Sequence, residues 1–90
     1  MGMATASEHH HVRVRLFARY AELLGAERIT LDVPGPVTVS AVLERLRAEH
    51  PAAAAFGRRP LVAIGLRQVS LDAAVAPGDE VAVLPPLSGG

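Results

Sequence analysis

The segment from residue 38 to residue 50 constrains the fold more than any other part of this 90-residue chain. Thr38 is a favourable N-cap residue, and apolar side chains then recur at the i, i+3, i+4 and i+7 spacing of an amphipathic helix. These side chains are Val39, Val42, Leu43 and Leu46. Pro51 ends the helix because proline has no amide hydrogen to continue it. A helix with one apolar face needs a second layer to pack on, and the remaining segments supply a sheet.

Alternating apolar and polar residues predict the strands of that sheet. Two strands, at residues 12–16 and 27–33, precede the helix and lie close enough in sequence to pair antiparallel. Between them, residues 18–24 are predicted to form a short helix closed by Gly25. After the long helix, a continuous apolar run predicts a central strand covered on both faces, and an edge strand and a last strand follow. These three strands are predicted at residues 61–64, 68–71 and 80–84, with a type II turn at Pro77-Gly78.

The order strand, strand, helix, strand, short strand, strand predicts an α+β fold with β-grasp, or ubiquitin-like, architecture. One crossover helix lies across a mixed sheet, and the first and last strands are parallel neighbours. We predict a disordered or vector-derived tail at residues 1–11, the β-grasp domain at residues 12–84, and an extended tail at residues 85–90. A chain of this length forms one domain with a small core.

The composition excludes several classes of function. All nine basic residues are Arg, they balance nine acidic residues, and the aromatic residues are one Tyr and two Phe. The chain therefore lacks the basic, aromatic surface that nucleic-acid binding needs. With no bilayer-length apolar run and no secretory signal, we expect a cytoplasmic protein without membrane contact. Because Cys and Lys are absent, its side chains cannot form a disulfide, a persulfide or a Schiff base.

Side chains with catalytic chemistry are sparse. Asp79 and Glu80 are adjacent where a strand begins, so they diverge and cannot act as an acid and base pair. His50 has no partner that would make it a catalytic base. The adjacent histidines at residues 9–11 do not converge into a fixed site, so we predict no metal centre. We therefore expect that the chain is not an enzyme on its own.

The C-terminus carries the most informative motif. Pro85 and Pro86 fix the backbone after the last strand and project the chain in a stiff, extended form. Gly89 and Gly90 add no bulk, so the terminal carboxylate can enter a channel only as wide as a backbone. A terminal Gly-Gly alone is a weak signal. Here it follows Pro-Pro-Leu-Ser directly after the last strand of a β-grasp pattern, which makes the signal strong.

With these motifs, the chain resembles the MoaD family, the small sulfur-carrier subunit of molybdopterin synthase. The similarity extends from Val12 to Gly90. The segments that carry it are VRVRLFAR at 12–19, ELLG at 22–25, Thr38-Val39, VSLD at 69–72, PGDEV at 77–81 and LPPLSGG at 84–90. Two positions depart from the family pattern. Gly65 stands where Asn is common, in a turn that tolerates it. Ala21 stands where Arg is common, so a partner contact there is missing or is made by Arg19.

The resemblance implies that Gly90 bears sulfur as a C-terminal thiocarboxylate, with Gly89 giving it access. It implies three protein partners: a ubiquitin-activating-type enzyme that adenylates Gly90, a sulfur-donating enzyme, and the large synthase subunit that receives the tail. ATP and magnesium then belong to the activating enzyme, and the pterin pocket belongs to the large subunit. This chain is expected to bind no cofactor itself.

A partner-binding face follows from the phase of two strands. Phe17 and Leu84 are each out of phase with the inward-facing residues of their strands, so both are expected on the sheet face away from the long helix. Unless the short helix covers them, they form an exposed apolar patch, which marks a docking site on a small domain. The predicted partner-binding residues are Phe17, Leu84, Pro85, Pro86, Leu87 and Ser88.

Other functions remain open from the sequence. Sulfur carriers for thiamin, cysteine synthesis or tRNA thiolation share the fold and the Gly-Gly end. A ubiquitin-like modifier would join the same Gly90 to protein lysines, although a chain without Lys cannot build lysine-linked chains upon itself. A β-grasp interaction module with an irrelevant tail is the remaining alternative.

Overall fold

A pair of antiparallel strands forms one side of the sheet. The structure is a computed structural model that describes residues 9–86, so residues 1–8 and 87–90 lie outside it. β1 (His9–Leu16) pairs with β2 (Arg28–Pro34) in a register that joins His9 to Pro34. β1 thus begins at His9 rather than at the predicted Val12, because β2 reaches Pro34 and provides pairing partners for residues 9–11.

Three helical segments follow their local sequence signals. α1 (Ala18–Leu24) ends as predicted, with Gly25 at a left-handed φ of 75°. α2 (Val39–Glu49) is capped by Thr38, whose Oγ1 accepts a hydrogen bond of 3.2 Å from the amide of Ala41. A 3-10 helix (Pro51–Phe56) comes next, with Pro51 in its first turn. Among residues 9–86, no helix is long and apolar enough to span a membrane.

Three more strands complete the sheet: β3 (Leu61–Ile64), β4 (Arg67–Val69) and β5 (Glu80–Leu84). The strand order is β2-β1-β5-β3-β4, and β1 and β5 run parallel as neighbours, so the predicted β-grasp fold is confirmed. β4 begins and ends earlier than predicted, because the tight turn at Gly65-Leu66 brings Arg67 opposite Ile64. The predicted turn before β5 is present, with Gly78 at a φ of 89°.

The core lies between α2 and the inner face of the sheet. The four apolar residues predicted from helical spacing are all buried, and they pack with inner-face valines and leucines of β1 and β5. These partners include Val14, Leu16, Val81 and Val83. Burying one such side chain contributes about 1.5–3 kcal/mol, so this layer dominates the stability of the domain. The helices of the described chain bury Tyr20, Phe56 and the apolar face of α2 on this side of the sheet, and the opposite face carries no helix among residues 9–86.

Candidate functional site

The outer face of the sheet, opposite α2, holds the side chains that alternate with the core residues. Near β2 and the start of β1 this face is charged. Toward β3 it is apolar, and we call this half the outer apolar face. Its members are Phe17, Leu61, Ala63, Ala82 and Leu84.

A depression of about 550 Å³ lies on the outer apolar face. Phe17, Ala82 and Leu84 line it, with Ala63 and Leu66 on the side of the β3–β4 turn. The structure therefore brings Phe17 and Leu84 to one surface, as their phase predicts. Both are half-buried rather than fully exposed, because neighbouring groups enclose them in the depression. Their role in binding a partner stays a prediction.

The short helix α1 leaves this depression open. Phe17 is the N-cap of α1, and its extended backbone (φ −126°, ψ 151°) continues the direction of the strand. The helix then buries Tyr20 against Phe56 of the 3-10 helix, with ring centroids 4.1 Å apart. This aromatic stack holds α1 on the core side, away from the outer apolar face.

Two exposed leucines extend the surface beyond the residues predicted from the sequence. Leu61 lies opposite Leu84 in the β3–β5 ladder and is 41% exposed, so β3 is not covered on both faces as predicted. Leu66 sits in the β3–β4 turn and is fully exposed. The sequence did not predict the exposure of Leu61, because an unbroken apolar run does not show which of its side chains face outward. The exposure of Leu66 could have been predicted from the short connection between β3 and β4, because it places Leu66 in a tight turn.

The arginines of the outer face differ in their partners. The Arg13 guanidinium donates a hydrogen bond of 3.1 Å to the carbonyl of Gly78, and the Arg28 Nε lies 3.2 Å from a carboxylate oxygen of Glu80. Arg15 instead stacks its guanidinium over Phe17, 5.0 Å from the ring centroid. Its Nε is buried and has no hydrogen-bond partner among the described residues. The charged half of the face thus meets the apolar half at Arg15.

The remaining predicted residues divide between the described chain and its end. Pro85 is half-buried and Pro86 is exposed, directly after β5. Leu87, Ser88, Gly89 and Gly90 lie outside the described residues, so their predicted roles stay predictions.

The acidic pair before β5 has structural contacts. Asp79 accepts a hydrogen bond of 2.9 Å from the amide of Ala76, which closes the turn. Glu80 pairs with Arg28. The two carboxylates face different partners, as predicted for adjacent residues where a strand begins.

Comparison with known proteins places this architecture in a family. Residues 14–90 match the ThiS family. The chain is 33% identical to the molybdopterin synthase sulfur carrier subunit of Homo sapiens over 82 residues, which cover 88% of this chain and 93% of that protein. It is 37% identical to small archaeal modifier protein 1 of Haloferax volcanii over 84 residues, covering 84% of this chain and 97% of that protein. A crystal structure of the archaeal protein matches with a TM-score of 0.78 and 31% identity, covering 87% of this chain and 99% of that one. The predicted resemblance is confirmed, and the chain belongs to the ThiS family.

Proposed function

We propose that this chain is a sulfur carrier for molybdopterin synthesis, bearing sulfur as a thiocarboxylate on Gly90. The observation that carries the proposal is the end of the chain. The family match runs through Gly90, and the terminal segment follows β5, whose last residue Leu84 lines the depression. Relatives named as sulfur carrier subunits of molybdopterin synthase, at 33–37% identity over most of the chain, support the same pathway.

The chemistry requires only a main-chain carboxylate from this protein. A carboxylate is a poor electrophile, so an activating enzyme of the ubiquitin-activating type transfers AMP from ATP to Gly90 and releases pyrophosphate. A sulfur-donating enzyme then delivers sulfur at the sulfide level, which attacks the Gly90 carbonyl and displaces AMP. The former carboxylate oxygen leaves with AMP, and the sulfur remains on Gly90 as the thiocarboxylate. The thiocarboxylate sulfur is the nucleophile toward the pterin acceptor. In this proposal ATP and magnesium serve the activating enzyme, and this chain acts as the sulfur-donating subunit of a synthase complex.

The position of the depression suits a partner that receives the tail. Leu84 both lines the depression and ends β5, so a protein bound there stands next to the point where the tail begins. The four residues after Pro86 span at most about 13 Å when extended. A bound partner therefore has the reacting carboxylate within a short, defined reach. We assign the large subunit of the synthase to this face.

A second candidate is a ubiquitin-like protein modifier. Similarity to small archaeal modifier protein 1 favours it, at 37% identity. The same adenylated Gly90 would then form an amide with a lysine of another protein, with AMP as the leaving group. The two functions share the activation step and differ in the nucleophile that displaces AMP from Gly90. The nucleophile is sulfur in the carrier and a lysine amine in the modifier.

Intact mass spectrometry tests the proposal. The chain is incubated with its cognate activating enzyme, ATP and a sulfur donor, and its C-terminal peptide is then analysed. Exchange of one oxygen for sulfur, confined to that peptide, is the expected result. Adding the large subunit and a pyranopterin should then return the peptide to its carboxylate form as the dithiolene product appears. A thiocarboxylate that persists under these conditions would contradict the molybdopterin pathway, and amide-linked adducts on other proteins would favour the modifier.

A further inference from the structure

Arg15 is the outer-face arginine whose hydrogen-bonding capacity is left unused. Arg13 and Arg28 each have an acceptor within the described chain, in Gly78 and Glu80. Arg15 has none among residues 9–86, although its Nε is buried. A buried donor without an acceptor is unfavourable, and native structures rarely leave one unless another group completes it.

The acidic residues near Arg15 do not fill this role. Asp79 and Glu80 border the depression, but one closes the turn at Ala76 and the other pairs with Arg28. Glu22 and Glu27 line a recess on the other side of Arg15, and neither hydrogen-bonds to it in the described structure. The stacking on Phe17 holds the guanidinium at the edge of the depression, and no carboxylate of residues 9–86 forms an ion pair with it.

Leu66 contributes a second unused group at the same depression. Its backbone adopts a φ of 67°, which branched and bulky side chains rarely take, and its side chain is 101% exposed. The turn would be less strained with Gly or Asn at this position. A fully exposed side chain buries no apolar surface, so Leu66 contributes little to the packing of its own domain. Its apolar surface is available only to another molecule.

We propose that the large subunit of the synthase places a carboxylate side chain against Arg15 and an apolar pocket around Leu66 when it covers the depression. This inference rests on the proposed function and names the chemistry of the partner surface. Charge complementarity selects the carboxylate, because Arg15 is the cation at this edge that no acceptor of the described chain engages. A bidentate carboxylate also matches the planar guanidinium better than a single carbonyl does. Arg15 lies beside Ala82 in the middle of β5, and Leu66 follows Ile64, which pairs with Val81 near the start of β5. The two contacts therefore fix the partner along the depression, whose other end is at Leu84.

Calorimetric titration of the full chain with the large subunit tests the proposal. Arg15→Gln should raise Kd by about tenfold or more, because a charge-assisted hydrogen bond is lost at a desolvated edge. It should also reduce the dependence of Kd on salt concentration. Arg13→Gln is the matched control, since Arg13 already donates to Gly78, and we expect a Kd within about twofold of the unsubstituted value.

Leu66→Asn tests the apolar contact, because Asn tolerates the left-handed backbone and leaves the turn intact. We expect Kd to rise by about tenfold with the salt dependence unchanged. Leu23→Ala is the control, since Leu23 is also exposed (46%) but lies on α1 away from the depression. Circular dichroism and melting curves establish that each variant is folded.

The outcomes separate this inference from the proposed function. Equal Kd values for Arg15→Gln and Arg13→Gln would overturn the carboxylate contact, and an unchanged Kd for Leu66→Asn would overturn the apolar one. In both cases binding of the unsubstituted chain would leave the proposed function standing. Failure of the unsubstituted chain to bind the large subunit would overturn the proposed pathway and this choice of partner together.

Discussion

At the scale of single residues, β1 contributes alternate side chains to the core and to the outer face of the sheet. Val14 and Leu16 of β1 are buried against α2, whereas Arg15 and Phe17 face the depression. Alternation along a strand produces this division, and neighbouring residues can therefore serve stability and recognition separately. Substitutions at Phe17 should affect binding much more than folding.

Phe17→Asp should weaken binding to the large subunit by about tenfold or more, because it removes the aromatic side chain from the outer apolar face. The fold should persist for two reasons. Asp is a favourable N-cap, and Phe17 occupies the N-cap of α1 without a side-chain hydrogen bond. The new carboxylate would also lie beside Arg15. Titration calorimetry measures the binding, and circular dichroism measures the fold. A variant that unfolds would show that Phe17 belongs to the core.

Removal of Gly90 should abolish thiocarboxylate formation or transfer while changing the free energy of unfolding by about 0.5 kcal/mol or less. The carboxylate would retreat by about 3.3 Å, which takes the reacting atom out of range. Gly89→Val should fail for another reason, because a β-branched side chain would clash in a channel made for bare backbone. Sulfur loading is measured by mass spectrometry and stability by urea denaturation. Full sulfur transfer by a chain lacking both glycines would rule out the carrier function.

At the scale of elements, local signals at helix and strand ends determine where each segment stops. Thr38 caps α2 with its hydroxyl, and Pro51 prevents α2 from continuing. β4 shows the limit of such signals, because the turn at Gly65-Leu66 sets its register with β3. A turn of this kind fixes which residues face outward, and it places Leu66 at its tip.

Thr38→Ala should lower the free energy of unfolding by about 1 kcal/mol, because it removes the acceptor for the amide of Ala41. Sulfur loading of Gly90 should be unchanged, since the cap lies on the core side of the sheet. Ser40→Ala is the matched control, because it removes a hydroxyl that does not cap the helix, and it should cost about 0.5 kcal/mol or less. Urea denaturation followed by circular dichroism measures both. Equal losses in the two variants would show that the cap contributes nothing specific.

At the scale of the whole molecule, one core supports two surfaces. The sheet buries one face against α2 and leaves the other for recognition, and its central strand β5 leads directly into the tail. A domain of this size has a small free energy of unfolding, so a single cavity in its core should destabilise the whole fold. The outer apolar face therefore depends on the packing of the core on the other side of the sheet.

Leu46→Ala should lower the free energy of unfolding by about 2–5 kcal/mol, because Leu46 is fully buried and the change leaves a cavity. Binding to the large subunit should weaken only as far as the folded population falls. Leu23→Ala removes the same atoms from an exposed leucine and should cost about 0.5 kcal/mol or less. Thermal melting measures the comparison, and a small loss in Leu46→Ala would mean that the core collapses readily around the gap.

The sequence by itself determined the elements, their order and the direction of Phe17 and Leu84. These features depend on periodicity, caps and turns, which are encoded within a few residues. The tertiary structure alone decided that β1 begins at His9, because a strand extends as far as its partner provides hydrogen bonds. It also decided that Leu61 is exposed and that Arg15 lacks an acceptor. Local pattern states which way a side chain points, but only long-range packing settles what covers it.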